Sequence, residues 1–141
     1  MTSEAEVYEA LALRVVVDQH GIRKYFNAAG QLHREDGPAI EWADGSKFWY
    51  QYGSLHRTNG PAIETDNGHT EWWVNDRRHR EDGPAIIWAN GFLEWWQNGQ
   101  RHREYGPAVV GPTGVKEWYL LDIKYTNQEY HRQLAILKNT K

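Results

Sequence analysis

From Arg14 to Tyr125 the chain alternates between short β-prone runs and glycine, asparagine or aspartate. Two kinds of run take turns. One is aliphatic: Arg14-Val15-Val16-Val17, Ile40-Glu41-Trp42, Ile63-Glu64-Thr65, Ile86-Ile87-Trp88 and Val109-Val110. The other carries an aromatic pair: Tyr25-Phe26, Trp49-Tyr50, Trp72-Trp73, Trp95-Trp96 and Trp118-Tyr119. None is long enough for a buried helix, and their bulky β-branched and aromatic residues suit strands. Turn residues divide each aliphatic run from the next aromatic one: His20-Gly21, Asp44-Gly45, Asn67-Gly68, Asn90-Gly91 and Thr113-Gly114. Asn-Gly and Asp-Gly favour the type I′ turn that joins antiparallel strands, since both central residues need positive φ. A second turn closes each unit at Gly30, Gly53, Asp76, Gly99 and Asp122. The pattern predicts a mainly β fold of five tandem hairpins, about ten short strands in an antiparallel sheet.

The two ends break the pattern. Ser3-x-x-Glu6 and Thr126-x-x-Glu129 both match a capping box, in which side chains satisfy the free amides of a helix start. Residues 3–13 and 127–138 hold good helix formers and neither Gly nor Pro. The expected organisation is a capping helix over 1–13, a five-hairpin repeat domain over 14–125, and a second capping helix over 126–141. Helical caps of this kind cover the last apolar face of a repeat array.

The period is fixed by one string. His-Arg-x-x-Gly-Pro-Ala begins at His33, His56, His79 and His102, 23 residues apart each time. Four of the five prolines fall in its proline slot. The first hairpin is a degenerate copy, because Gly21 to Gly45 spans 24 residues rather than 23.

Strand side chains alternate between faces. On a continuous strand, Trp49, Trp72, Trp95 and Trp118 therefore form a ladder on one face, with Tyr25 before them. Tyr50, Trp73, Trp96 and Tyr119 form another on the opposite face, behind Phe26 and beside Phe48, Glu71, Glu94 and Glu117. A single sheet buries two aromatic ladders only if something covers both faces. Part of one is then available to a partner, and Trp, Tyr and Arg are favoured contact residues. The candidate partner-binding set is Trp49, Trp72, Trp95 and Trp118 with Arg57, Arg80 and Arg103. The alternative face is Tyr50, Trp73, Trp96 and Tyr119.

Composition narrows the function. The chain has 141 residues, no cysteine and a formal charge of −3, with 8 Trp and 8 Tyr. A disulfide framework and a thiolate metal site are excluded. The negative balance disfavours extended nucleic acid, although Arg77, Arg78, Arg80, Arg101 and Arg103 make the middle locally basic. No apolar run approaches the roughly 20 residues that span a bilayer, so no membrane insertion is expected. The acidic start, Met1 to Glu6, lacks the basic region of a signal peptide, so a cytoplasmic location is expected. Equivalent histidines of successive hairpins would lie about 10 Å apart, too far to share a metal ion. Their expected task, with the arginines, is to shape the loop before Gly-Pro. No nucleotide-binding or hydrolase motif is present, so no enzyme activity, cofactor or metal is expected. Stacked aromatics beside Arg34, Arg57, Arg80 and Arg103 leave a small signalling nucleotide as a candidate ligand. Unpaired edge strands at both ends of the meander point to a homodimer.

The 23-residue unit resembles MORN repeats, without matching their Tyr-x-Gly…Gly-x-Gly consensus closely. His33 to Ala39 and His79 to Ala85 read His-Arg-Glu-Asp-Gly-Pro-Ala. That string is similar to the repeat of largely uncharacterised proteins of tailed phages and giant viruses. Glu117 to Leu120 and the closing Lys124-Tyr125-Thr126-x-x-Glu129-Tyr130 segment also resemble that family's ending, and the likeness covers about residues 14–135. It implies a MORN-like sheet and a phage or viral origin, and names no catalytic residues. The expected function is that of a non-catalytic phage accessory protein that binds a host protein and inhibits or redirects it, as in anti-defence or host takeover. The alternatives are a nucleotide sponge and a structural, oligomeric virion or scaffold component.

Overall fold

A computed structural model describes residues 13–140. It is mainly β, with one long antiparallel sheet and a C-terminal helix. The chain runs β1 (Arg14–Val17), β2 (Arg23–Phe26), β3 (Ile40–Glu41), β4 (Lys47–Phe48), β5 (Tyr50–Gln51) and β6 (Ser54–Leu55). Next come β7 (Ile63–Glu64), β8 (Thr70–Glu71), β9 (Trp73–Val74), β10 (Arg77–Arg78), β11 (Ile86–Ile87) and β12 (Leu93–Glu94). It closes with β13 (Trp96–Gln97), β14 (Gln100–Arg101), β15 (Val109–Val110), β16 (Lys116–Leu120), β17 (Ile123–Tyr125) and α1 (Asn127–Asn139). The main sheet has 11 strands in the order β1-β2-β3-β4-β7-β8-β11-β12-β15-β16-β17. At about 4.8 Å per strand it extends roughly 48 Å. The pairs β5–β6, β9–β10 and β13–β14 stand apart as two-stranded ribbons.

In the three middle copies the aromatic pair does not sit on one uninterrupted strand. β4, β8 and β12 end just before Trp49, Trp72 and Trp95, and the second aromatic of each pair opens a ribbon. Each junction Trp serves both layers. The Trp49 amide donates to Ala62 O (2.7 Å) in line with the main sheet, while its carbonyl accepts from His56 N (3.1 Å). Trp72 and Trp95 repeat both bonds. The ladders therefore flank a bend rather than the two faces of one strand. At the two ends of the array the pair stays on one strand: β2 continues through Tyr25 and Phe26, and β16 through Trp118 and Tyr119.

The turns exchange types relative to expectation. The loops at Asp44-Gly45, Asn67-Gly68, Asn90-Gly91 and Thr113-Gly114 have positive φ at glycine alone. Gly45 N–H donates to Trp42 O (3.0 Å) and Trp42 N–H to Ser46 O (2.9 Å), a three-residue loop closed by a left-handed glycine. Asp44 Oδ1 accepts from Ser46 N (2.8 Å), and Asn67 and Asn90 bond equivalently, a local bond that such turns favour. Type I′ geometry appears at the ribbon tips instead. Tyr52-Gly53, Asn75-Asp76, Asn98-Gly99 and Leu121-Asp122 all have positive φ at both positions.

The ribbons are stitched sideways. Gly53, Asp76, Gly99 and Asp122 amides donate to the carbonyls of Leu32, Leu55, Arg78 and Arg101 at 2.8–3.0 Å. A column of small residues sits at the bend: Ala39, Ala62, Ala85 and Ala108 are each 0 % exposed. Ile40, Ile86, Val109, Leu120 and Tyr130 complete the buried apolar set among the described residues.

The helix α1 begins where its capping signal puts it: Thr126 Oγ1 accepts from Glu129 N at 3.2 Å. It closes the array, because the buried Tyr130 ring packs on Trp118 at 4.8 Å. The capping helix expected over 1–13 lies outside the described residues, apart from Leu13. Among the described residues no helix is long and apolar enough to cross a membrane.

Candidate binding surface

Every letter of the His-Arg-x-x-Gly-Pro-Ala string has an internal task. The histidine Nδ1 accepts from the first residue of a type I′ turn 19 positions later. His33, His56, His79 and His102 take the amides of Tyr52, Asn75, Asn98 and Leu121 at 3.0–3.1 Å. Those four residues hold φ between 47° and 50°, a region costly for side chains other than Asn, Asp and Gly. The histidine thus fixes a strained turn across a long sequence gap.

The arginine is clamped on both sides. Arg34, Arg57, Arg80 and Arg103 lie over Tyr25, Trp49, Trp72 and Trp95 with Cζ at 4.0, 3.8, 3.9 and 3.7 Å from the ring centres. The glycine backs the other side: a Cβ on Gly37, Gly60 or Gly83 would meet the guanidinium carbon at 2.8–3.0 Å. Nη1 of each arginine donates to the proline carbonyl of its own loop at 2.9–3.2 Å. Nε donates to Asp36, Asn59 and Asp82 in the first three loops, at 3.0, 3.3 and 2.9 Å. Arg34 and Arg57 also ion-pair with Glu41 (2.8 Å) and Glu64 (3.2 Å). Burial lowers the Arg34 pKa, but the Asp36 hydrogen bond, the field of Tyr25 and the Glu41 hydrogen bond more than reverse this, and the net direction is upward. Arg103 is driven the other way by its own burial, against a smaller contribution from Tyr130.

Two clefts open along this side. The first, about 890 Å³, is lined by Glu35, Asp36, Gly37, Pro38, Trp49, Gln51, Tyr52, Ser54, His56, Arg57, Thr58, Asn59 and Asn75. The second, about 760 Å³, has the residue 46 positions further on at every one of those places, from Glu81 to Leu121. The expected contact residues are therefore distributed as follows. Trp49 with Arg57 lines the first cleft and Trp95 with Arg103 the second. Trp72 with Arg80 makes the same stack between them. Trp118 has no arginine over it and lies against Tyr130 and His131 of α1.

The alternative set forms an interleaved column. Arg78 lies over Trp73 (4.7 Å) and Trp96 (5.1 Å), and Arg101 over Trp96 (5.0 Å) and Tyr119 (5.4 Å). Tyr50, at its head, pairs across its ribbon with Leu55. Carboxylates anchor these cations. Glu71 accepts from His69, Trp73 and Arg78, and Glu94 from Trp88 and Arg101. Burial pushes the Glu71 carboxyl upward, but hydrogen bonds from His69 and Trp73 and the charge of Arg78 hold it below the ordinary range. The His69 Nδ1 and Trp96 Nε1 atoms are buried without a hydrogen-bond partner. Among the described residues no group of three or more His, Cys, Asp or Glu is placed to hold a metal ion.

Sequence reasoning passed over Tyr52, Tyr105 and Leu121, exposed residues in the cleft linings. Their signal was departure from the residue found at equivalent places in the other copies. A scan against protein-family models and a search of curated proteins find no match to this chain.

Proposed function

We propose that the protein is a non-catalytic binding protein, an array of five MORN-like hairpin copies whose clefted side engages another protein. The observation that carries this reading is the reproduction of one thirteen-residue lining at a 46-residue offset. A recurring furrow with aromatic, proline and polar edges suits an extended partner surface, the usual use of a repeat array. The phage-like His-Arg-Glu-Asp-Gly-Pro-Ala string supports a phage accessory role in the host cytosol, in which the bound host protein is inhibited or redirected. Clefts of this size with Arg and Trp together also suit a small nucleotide. The arginines, however, already cover the Trp faces and bond the proline carbonyls, so a stacked base has to displace them.

The test is site-specific photo-crosslinking in host cells. A photoreactive residue at Tyr52 or Tyr105 should capture the same host protein, while Val16 and Ile136, exposed elsewhere, should not. Equal capture from all four positions, or none from the clefts, refutes the reading.

A further inference from the structure

The two clefts share a plan but differ at a few places: the first exposes Tyr52 where the second has Asn98, and the second exposes two apolar side chains where the first has Asn59 and Asn75. The first residue of the ribbon-tip turn is Asn75 in one cleft and Leu121 in the other. Asparagine tolerates positive φ, whereas leucine there is strained. Leu121 nevertheless holds φ 48° and is 51 % exposed, so it neither suits its backbone nor fills a core. Tyr105 is the second departure. It stands in the slot from which Asp36, Asn59 and Asp82 accept from the arginine Nε, and it is 84 % exposed. Arg103 thereby keeps Pro107 O and the Trp95 ring but loses the side-chain acceptor on Nε. The carboxylate that reaches Arg34 or Arg57 from seven residues on is replaced by Val110. Both departures give up internal stabilisation to place apolar side chains at the mouth of one cleft.

The charge of that mouth indicates what it takes. Glu81, Asp82 and Glu104 line it beside Arg103, and Lys138 Nζ lies 5.2 Å from the centre of the Tyr105 ring. Asp82 is engaged by Arg80, but the nearest basic atom on Glu81 is His79 Nε2 at 3.6 Å. Among the described residues no lysine or arginine pairs with Glu81, so a partner's cationic side chain is drawn to it. The carboxamide of Asn59 on Arg57 Nε shows that a neutral carbonyl satisfies such a guanidinium, as a peptide main chain would on Arg103.

We infer that the second cleft seats an extended, basic segment of a protein partner: an apolar side chain on Leu121 and Tyr105, a cation on Glu81, and a main-chain carbonyl on Arg103. This rests on the binding reading above and names its partner chemistry.

The test is selection of random twelve-residue peptides displayed against the full chain. Leu121→Asn and Tyr105→Asn install residues that the other copies use, so the unfolding midpoint should hold or rise. Selected peptides should be enriched in Lys or Arg beside an apolar residue. They should bind the double variant at least tenfold more weakly, and Glu81→Lys should weaken them similarly. Tyr52→Asn, in the first cleft, should leave binding unchanged. Peptides without basic enrichment, undiminished binding to the double variant, or no selected peptide at all would overturn the inference. Peptides that depend on Tyr52 instead refute the second cleft and spare the binding function. Loss of crosslinking from both cleft positions removes the function itself.

Discussion

Glu94 and Glu117 occupy the same place in successive copies and differ in burial and in the donors that cover them, which makes them a pair for measuring the value of a covered carboxylate. The Glu94 side chain is 7 % exposed, and its two oxygens accept from Trp88 Nε1 (2.6 Å) and Arg101 Nε (2.9 Å). Glu117 is 34 % exposed and pairs with Lys124, itself 57 % exposed, at 3.1 Å. Glutamine at 94 keeps one acceptor but turns an amide N–H₂ toward the other donor and removes the counter-ion of Arg101. A hydrogen bond to a charged group contributes about 1.5–3 kcal/mol net, and the partial exposure of Arg101 lets water recover some of that. Glu94→Gln should therefore cost about 2–3 kcal/mol, and Glu117→Gln about 0.5 kcal/mol, the value of a solvated pair. With a urea slope of about 1.5 kcal/mol per molar, the midpoints fall by roughly 1.7 M and 0.3 M. Tryptophan fluorescence and far-ultraviolet circular dichroism should both report this. Equal losses at the two positions would refute the claim that coverage by the Trp88 and Arg101 side chains sets the value of the carboxylate.

Two further outcomes follow from the same framework. Glu71 has a folded pKa below its unfolded value, so its contribution is complete above the ordinary glutamate pKa of about 4.3 and is lost as pH falls through the lowered value. The stability gap between the native chain and Glu71→Gln should be constant near neutrality and close in acid; urea midpoints showing an unchanged gap down to pH 3 contradict this. Ala85→Val should destabilise by about 1–3 kcal/mol through overpacking, although strand propensity alone favours valine. Ala89→Val, at an exposed position, is the control, and a higher thermal midpoint for Ala85→Val would show that the alanine column has room.

The sequence reveals what is local. The period, the glycine of each sheet-side loop and the Thr126 cap are short-range signals, and within the segment 126–141 expected as a capping helix the helix occupies Asn127–Asn139. Turn type was harder to read, because a left-handed glycine fits both the type I′ turn and the three-residue loop. The ribbon-tip turns at Gly53, Asp76, Gly99 and Asp122 were legible in place, but their type was hidden for a stronger reason. Tyr52 and Leu121 carry no turn signal, and the histidines that hold their amides stand 19 residues earlier. The bend at Trp49 was equally obscure, since Phe48-Trp49-Tyr50 has continuous strand propensity. What divides it is the Trp49 carbonyl bonding His56 while the amide bonds Ala62, partners that only the assembled array provides. Among site residues, Trp49, Trp95, Arg57 and Arg103 do reach the clefts, but with the guanidinium laid on the ring.

That stacking changes how the ladder tryptophans can be tested. Trp72 and Trp95 each lie half-buried beneath an arginine that also holds a proline carbonyl, and each ties the main sheet to a ribbon through its own amide and carbonyl. Truncating a packed tryptophan costs about 3–5 kcal/mol. Two such losses approach or exceed the roughly 5–15 kcal/mol that holds a domain together. Trp72→Ala combined with Trp95→Ala should therefore lose its strand dichroism, and any accompanying loss of binding then reports unfolding. The same holds for the repeated histidine, glycine and alanine and for Arg34, Arg57 and Arg80, whose polar atoms and volumes are spent inside the array. Recognition has to come from positions where copies differ, such as Tyr105 and Leu121, because only there can a side chain change without breaking the unit. If the double tryptophan variant keeps its dichroism and a near-native urea midpoint, the repeated residues are not scaffold, and this assignment of recognition to the variable positions fails.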